Sequence, residues 1–211
     1  MYENEKKEII SAALELKYNN LIALSGGNVS MRMPNGDYVV TPSGMGYDNM
    51  VPDDLIVFNK EKEIIEGYRK PSVDTAALEY IYDHMPEVNA IIHTHQPYAT
   101  AVGLVSDTLP ACSTTLSNVC LGAVNVTRYS PPGHVGMGEL TVEYAGGKRA
   151  VILKHHGVIT IGETLKQALY AAVYMEEVAK LYLAAKAVGE PAIMTEEQNR
   201  LAVEAFERYG Q

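Results

Sequence analysis

Apolar positions change period along this chain, and the changes mark out its elements. Near the start, Ile9, Ile10, Ala13, Leu14 and Leu16 recur at helical spacing, with Lys6, Lys7 and Glu15 on the wet side. That stripe predicts an amphipathic helix over 5–19, ended by Tyr18-Asn19-Asn20. Strand-like runs follow. Val29 to Met33 and Tyr38 to Thr41 flank Pro34-Asn35-Gly36-Asp37, a hairpin turn signal, and Leu55 to Phe58 and Glu63 to Ile65 read as further short strands. A second helix opens at Lys70-Pro71-Ser72-Val73-Asp74-Thr75, carries its stripe on Ala77, Leu78, Ile81, Tyr82 and Met85, and ends before Pro86.

Ala90-Ile91-Ile92 predicts a strand, Pro97 to Val105 a short helix, and Pro110 to Tyr129 a strand-like region. Pro131-Pro132-Gly133-His134-Val135-Gly136-Met137-Gly138 reads as a loop, and Glu139 to Ala145 as a short helix. A strand at Val151 to Lys154 and a turn at Gly162 precede the longest helix, over 164–187, which is apolar around much of its circumference. Such a helix is deeply packed or covered by another subunit. Thr195-Glu196-Glu197-Gln198 is a capping-box signature and opens a last helix to about Arg208. No repeat or linker interrupts the pattern, so one domain over 1–211 is expected.

The strands deliver chemistry. Ala90-Ile91-Ile92 leads into His93-Thr94-His95, and alternation along a strand points His93 and His95 the same way. Val151-Ile152-Leu153 leads likewise into His155-His156-Gly157. Two apolar strands can thus gather three imidazoles, a donor set that suits zinc with a coordination position left open for catalysis. Adjacent strand residues face opposite ways, so one of His155 and His156 joins the site, and spacing does not say which. Isolated His84 and His134 are not expected as ligands.

Two loops offer uncharged donors. Leu24-Ser25-Gly26-Gly27-Asn28-Val29-Ser30 reads either as an anion-binding nest or as a plain turn before a strand. Thr41-Pro42-Ser43-Gly44-Met45-Gly46 can set a hydroxyl and backbone N–H groups beside it. Ser72 and Asp74 lie where a helix start favours anions, or else they cap that helix.

Composition narrows the classes. The chain has 211 residues, 47% of them hydrophobic and 20% charged, with a formal net charge of -9. That balance fits a water-soluble globular protein and argues against general nucleic-acid or anionic-membrane binding. A small anion can still be held by focused local donors. Two cysteines, Cys112 and Cys120, read as thiols of a reducing compartment. The start of the chain carries no signal-peptide pattern, and a cytoplasmic protein is expected.

Gly27-Asn28-Val29-Ser30, Thr41-Pro42-Ser43-Gly44, Lys70-Pro71-Ser72, His93-Thr94-His95 and Lys154-His155-His156-Gly157 occur in this order. With them the chain resembles, nearly end to end, the class II zinc-dependent sugar-phosphate aldolases that cleave L-fuculose 1-phosphate. It also resembles their relatives, the L-ribulose-5-phosphate 4-epimerases. The resemblance implies an α/β fold of three α/β/α layers with a central, largely antiparallel sheet. It further implies a homotetramer with active sites between subunits. Zinc would sit on His93, His95 and His156, and the substrate phosphate among Asn28, Ser43, Gly44 and Ser72. Asp74 and Tyr209 would be the catalytic proton carriers. The implied reaction is retro-aldol cleavage of a ketose 1-phosphate, foremost L-fuculose 1-phosphate, to dihydroxyacetone phosphate and a small aldehyde such as L-lactaldehyde.

The chain departs from the aldolase pattern at several positions. Asp74 stands where those aldolases usually carry Glu, as in the epimerases. Val73 replaces a second serine of the phosphate motif, and Thr114 falls where the aldolases carry a tyrosine. Asn118 falls where the epimerases carry a catalytic aspartate, and an amide cannot act as a carboxylate base. The alternatives are an epimerase that rejoins the same two fragments, a dehydration on the same metal, and a sugar-phosphate-binding zinc protein without turnover.

Overall fold

A computed structural model describes residues 1–207 of the chain. Helix α1 (Glu3–Tyr18) buries Ile9, Ala13 and Leu16, the expected stripe. Strands β1 (Asn28–Arg32), β2 (Tyr38–Val40), β3 (Ile56–Phe58) and β4 (Ile64–Glu66) follow, then α2 (Thr75–His84), β5 (Ala90–Thr94) and α3 (Pro97–Val105). Next come β6 (Thr108–Leu109), α4 (Thr114–Cys120), β7 (Val124–Asn125) and α5 (Gly136–Ala145). The chain continues through β8 (Ala150–Leu153), β9 (Gly157–Gly162), α6 (Leu165–Val188) and α7 (Glu196–Glu207). The capping box opening α7 is formed: Thr195 N donates to Gln198 Oε1 and Gln198 N to Thr195 Oγ1.

Seven strands form one sheet in the order β4-β3-β2-β1-β5-β9-β8, with every neighbouring pair antiparallel. Both faces are covered, giving the three α/β/α layers. On one side Val29, Val39, Val57 and Ile92 pack with Ile9, Leu16, Ala168 and Ala172 of α1 and α6. On the other, Val40, Ile56, Ile91, Val151 and Ile159 pack with Leu78, Ile81 and Met137 of α2 and α5. Strand β5 is buried at all five positions, as expected of a central strand covered on both faces. Buried Glu176 of α6 accepts N–H bonds from Tyr98 and Ala99 and so fastens the start of α3 to α6. No helix among the described residues is long and apolar enough to cross a membrane.

Three expectations are corrected. The region from Pro110 to Tyr129 is built around helix α4, with the two-residue strand β6 before it and β7 as its only strand. Ser113 caps α4 by accepting from Thr115 N, Leu116, Val119 and Cys120 are its buried stripe, and left-handed Leu121 ends it. The stretch before Gly162 holds two strands, because Gly157–Gly162 returns as β9, buried throughout. Lys154, His155 and His156 therefore form a tight turn between β8 and β9, in which Leu153 pairs with Gly157. Strand alternation does not govern the two histidines there, since His155 sits at φ 61°.

Ile91 is fully buried at the centre of the sheet. Ile91→Ala should lower unfolding stability by about 2–5 kcal/mol, read as a drop in the urea midpoint. A change under about 0.5 kcal/mol would contradict the packing described.

Candidate active site

The central strand ends at the site. Alternation in β5 puts His93 on the face of Ile91, towards α2. His95 lies just past the strand end, its N–H on Leu21 O at 3.1 Å. The β8–β9 turn brings in His156. The ligand atoms of His93, His95 and His156 all lie within 4.8 Å of one another. Of the adjacent pair, His156 is the one that joins, and His155 faces a separate cavity lined by Arg128, Tyr129 and Lys154.

Hydrogen bonding prepares the His93 ring as a ligand. His93 Nδ1–H donates to Val158 O at 2.9 Å, which leaves Nε2 as the lone-pair nitrogen. That Nε2 faces His95 Nε2 at 3.2 Å. His156 Nδ1 is buried without a partner among the described residues. Burial lowers the proton affinity of all three, His93 from 6.5 to about 3. The charge of Asp74 opposes this at His95 and His156. Three neutral nitrogens converging on one point, with no acidic partner between them, fit a divalent metal ion with an open position.

Close backbone approach is required here. A Cβ on Gly27, at φ +74°, would lie 2.3 Å from His93 O, and one on Gly26 would lie 2.9 Å from His95 Nδ1. The Gly-Gly pair is thus what lets the loop before β1 lie against the two metal-facing histidines.

Strand register carries the loop's donors to the same place. Asn28 pairs directly with His93 across β1 and β5. Its Nδ2 donates to Ser72 Oγ at 3.1 Å and to Asp74 Oδ2 at 2.9 Å. An isolated bridge between Pro42 and Pro71, with Ser43 N on Lys70 O, sets the second loop beside Ser72 and leaves Ser43 and Gly44 exposed to solvent. Asp74 occupies the cap position of α2 yet makes no side-chain cap bond. Its carboxylate turns to Asn28 and to Gly133 N–H, the latter at 3.2 Å. The helix-cap reading of Asp74 therefore does not hold, and the anionic group is held inside the site.

Other candidates fall elsewhere. Thr114 and Asn118 lie on α4 against α7, where they line a cavity of about 330 Å³ with Ala202, Ala205 and Phe206. With its amide turned to suit its neighbours, Asn118 donates to Thr114 O and Ala202 O, each at 2.9 Å. His84 pairs with Tyr80 O, and His134 Nδ1 accepts from Gly136 N–H, so neither joins the three histidines. Tyr209 lies outside the described residues. Sequence reasoning missed the Gly133 amide: a Pro-Pro-Gly loop announces a turn, but no local signal links it to a carboxylate 59 positions earlier.

Comparison with known proteins gives the family and the fold. Residues 7–183 match the family described as Class II Aldolase and Adducin N-terminal domain. The chain is 30% identical, over 100% of its length and 99% of the relative, to a 5-deoxy-D-ribulose 1-phosphate aldolase of Bacillus thuringiensis serovar kurstaki. It is 30% identical, over 96% of its length and 90% of the relative, to a 5-methylthioribulose-1-phosphate/5-deoxyribulose-1-phosphate aldolase of Rhodospirillum rubrum. A solved L-fuculose 1-phosphate aldolase superposes with a TM-score of 0.90 at 29% identity, covering 96% of this chain and 95% of that one. The fold and the three-histidine centre define a lyase of the class II aldolase type. The chain belongs to the Class II Aldolase and Adducin N-terminal domain family.

Two outcomes test the geometry. Gly26→Ala should leave the fold intact and weaken metal binding roughly 10-fold or more in calorimetric titration, because the new methyl displaces the His95 ring. Unchanged affinity would contradict the contact. Separately, the unfolded chain takes up protons at histidine near pH 6.5, whereas folded His93 resists until about 3. The stability of the metal-free protein is therefore full above 6.5 and lost as pH falls. Denaturant titrations with chelator between pH 6.5 and 5 should show a slope of up to about 1.4 kcal/mol per pH unit from His93, smaller in His93→Asn. A flat profile would contradict the buried neutral imidazole.

Proposed function

We propose that this chain cleaves a terminally deoxygenated ketose 1-phosphate between C3 and C4, giving dihydroxyacetone phosphate and a short aldehyde. The register that sets Asn28 opposite His93 carries the reading, because it brings Asn28, and with it the hydrogen-bonded Ser72 and Asp74, beside the three-histidine group, which supports a phosphate subsite there. The substrates named for the relatives share a C1 phosphate and a terminal methyl group. We take 5-deoxyribulose 1-phosphate, which would release acetaldehyde, as first substrate, supported by the two relatives matched over nearly the whole chain. L-fuculose 1-phosphate, which would release L-lactaldehyde, is the second, supported by the solved relative.

His93, His95 and His156 would hold zinc, which when bound supplies Lewis-acid stabilisation of negative charge on the substrate's oxygens. Ser43, Gly44 and Ser72 would orient the phosphate through hydroxyl and backbone donors. Asn28, whose two amide hydrogens are taken by Ser72 and Asp74, would support Ser72 from behind without touching the phosphate. In the cleavage the C4 hydroxyl loses its proton, the C3–C4 pair passes to the C2 carbonyl as an enediolate, and C3 is then protonated. Asp74, held by Asn28 and Gly133, is the group proposed to carry that proton to C3. Tyr209 is proposed for the proton on the aldehyde oxygen.

A homotetramer belongs to the same proposal. Tyr170, Tyr174 and Leu181 leave apolar surface on the outside of α6, suited to a second copy. The cytoplasm is the proposed setting, which suits the free thiols of Cys112 and Cys120.

Zinc-loaded protein should release dihydroxyacetone phosphate and aldehyde in equal amounts from 5-deoxyribulose 1-phosphate or L-fuculose 1-phosphate, in a coupled dehydrogenase assay. His95→Ala should lose metal and at least about 10³-fold in turnover together. No dihydroxyacetone phosphate from either sugar would sink the proposal, and C4 epimer from L-ribulose 5-phosphate without free fragments would replace it with the epimerase reading.

A further inference from the structure

Asn28 has two amide hydrogens, and both are engaged: one on Ser72 Oγ at 3.1 Å, the other on Asp74 Oδ2 at 2.9 Å. Ser72 Oγ accepts a second bond from Asp74 N–H at 3.3 Å. Its two lone pairs are then occupied, and its own O–H remains to donate outward. Asn28, Ser72 and Asp74 are all buried, with at most 8% of any of them exposed. The amide cannot turn over, because Oδ1 would then meet the acceptor-only carboxylate of Asp74. The orientation leaves Asn28 Oδ1 buried without a partner among the described residues, an unfavourable arrangement that the Asp74 contact maintains.

We propose that Asn28 is a positioning residue for Asp74, transmitting occupancy of the phosphate subsite at Ser72 to the carboxylate. A phosphate oxygen that takes the Ser72 O–H polarises the hydroxyl and draws it outward. Asn28, bonded to that hydroxyl and to the carboxylate through one nitrogen, shifts with it and re-aims Asp74. The second hold on Asp74, from the Gly133 backbone N–H, acts as the pivot. The phosphate of the substrate thereby aligns the proton carrier as well as anchoring the molecule. This rests on the aldolase reading for its catalytic meaning, while the coupling itself is a property of the resting protein.

The test separates the two. Protein carrying carboxylate-labelled aspartate is titrated with inorganic phosphate and followed by carbon NMR, the Asp74 resonance being assigned with Asp74→Asn. In the native chain, phosphate should shift that resonance as the site fills. In Asn28→Ala, phosphate should still bind, by calorimetry, and the resonance should stay within line width. Asn28→Ser serves if the alanine variant does not fold. With a cleaved sugar phosphate, kcat of the variant should fall on the order of 10²-fold while KM moves less than about 3-fold. A raised KM with unchanged kcat, an Asp74 shift that survives in the variant, or phosphate that leaves native Asp74 unmoved would each overturn the proposal. A native Asp74 shift in a protein that cleaves no sugar phosphate would leave the coupling standing and remove the aldolase reading instead.

Discussion

The arrangement depends on one register. Asn28 faces His93 across β1 and β5, and a slip of one residue would turn every side chain of the strand to the other face. The core holds that register from both sides. Val29 and Ile92 belong to the layer under α1 and α6, while Ile91 belongs to the layer under α2 and α5. Apolar burial in β5 thus fixes, one and three residues further on, where His93 and His95 stand. The same pairing delivers Asn28 to Ser72 and Asp74 at the start of α2. Packing energy away from the site is what sets the three histidines relative to Asn28, Ser72 and Asp74.

The electrostatics follow from burial. In a chain with a net charge of -9, the candidate phosphate donors are hydroxyls and backbone N–H groups. Such donors hold a phosphate through local dipoles, and a surface of the same sign as the ligand makes loose, non-specific capture unfavourable. The three imidazoles are kept neutral by desolvation, above all His93, so they are ready for a cation without first losing protons. Asp74 then stands near both groups, raising the proton affinity of His95 and His156 while its own oxygens are tied to Asn28 and Gly133.

Much of this could be read along the chain. Helices α1, α2, α6 and α7 follow clear stripes and caps, and the three-layer fold and the class of enzyme are implied by the family resemblance that the ordered motifs carry. The stretch around α4 reads as strand because its Thr and Val residues suit a pleated surface, and only the Ser113 cap and the Leu116–Cys120 stripe in three dimensions outweigh that preference. The choice of His156 over His155 could not come from alternation, because both lie in a turn. Long-range contacts were out of reach altogether: neither the Gly133–Asp74 bond nor the closeness of Gly26 to His95 leaves a periodic trace. The packing of Asn118 of α4 against Ala202 of α7 likewise comes from contact between distant segments.

The most direct measurement is anomalous diffraction at the zinc edge from crystals grown with zinc and soaked in dihydroxyacetone phosphate. The account predicts one ion per chain bonded by His93, His95 and His156, with the phosphate group against Ser43, Gly44 and Ser72. An ion elsewhere, or a phosphate bound away from those residues, would contradict it.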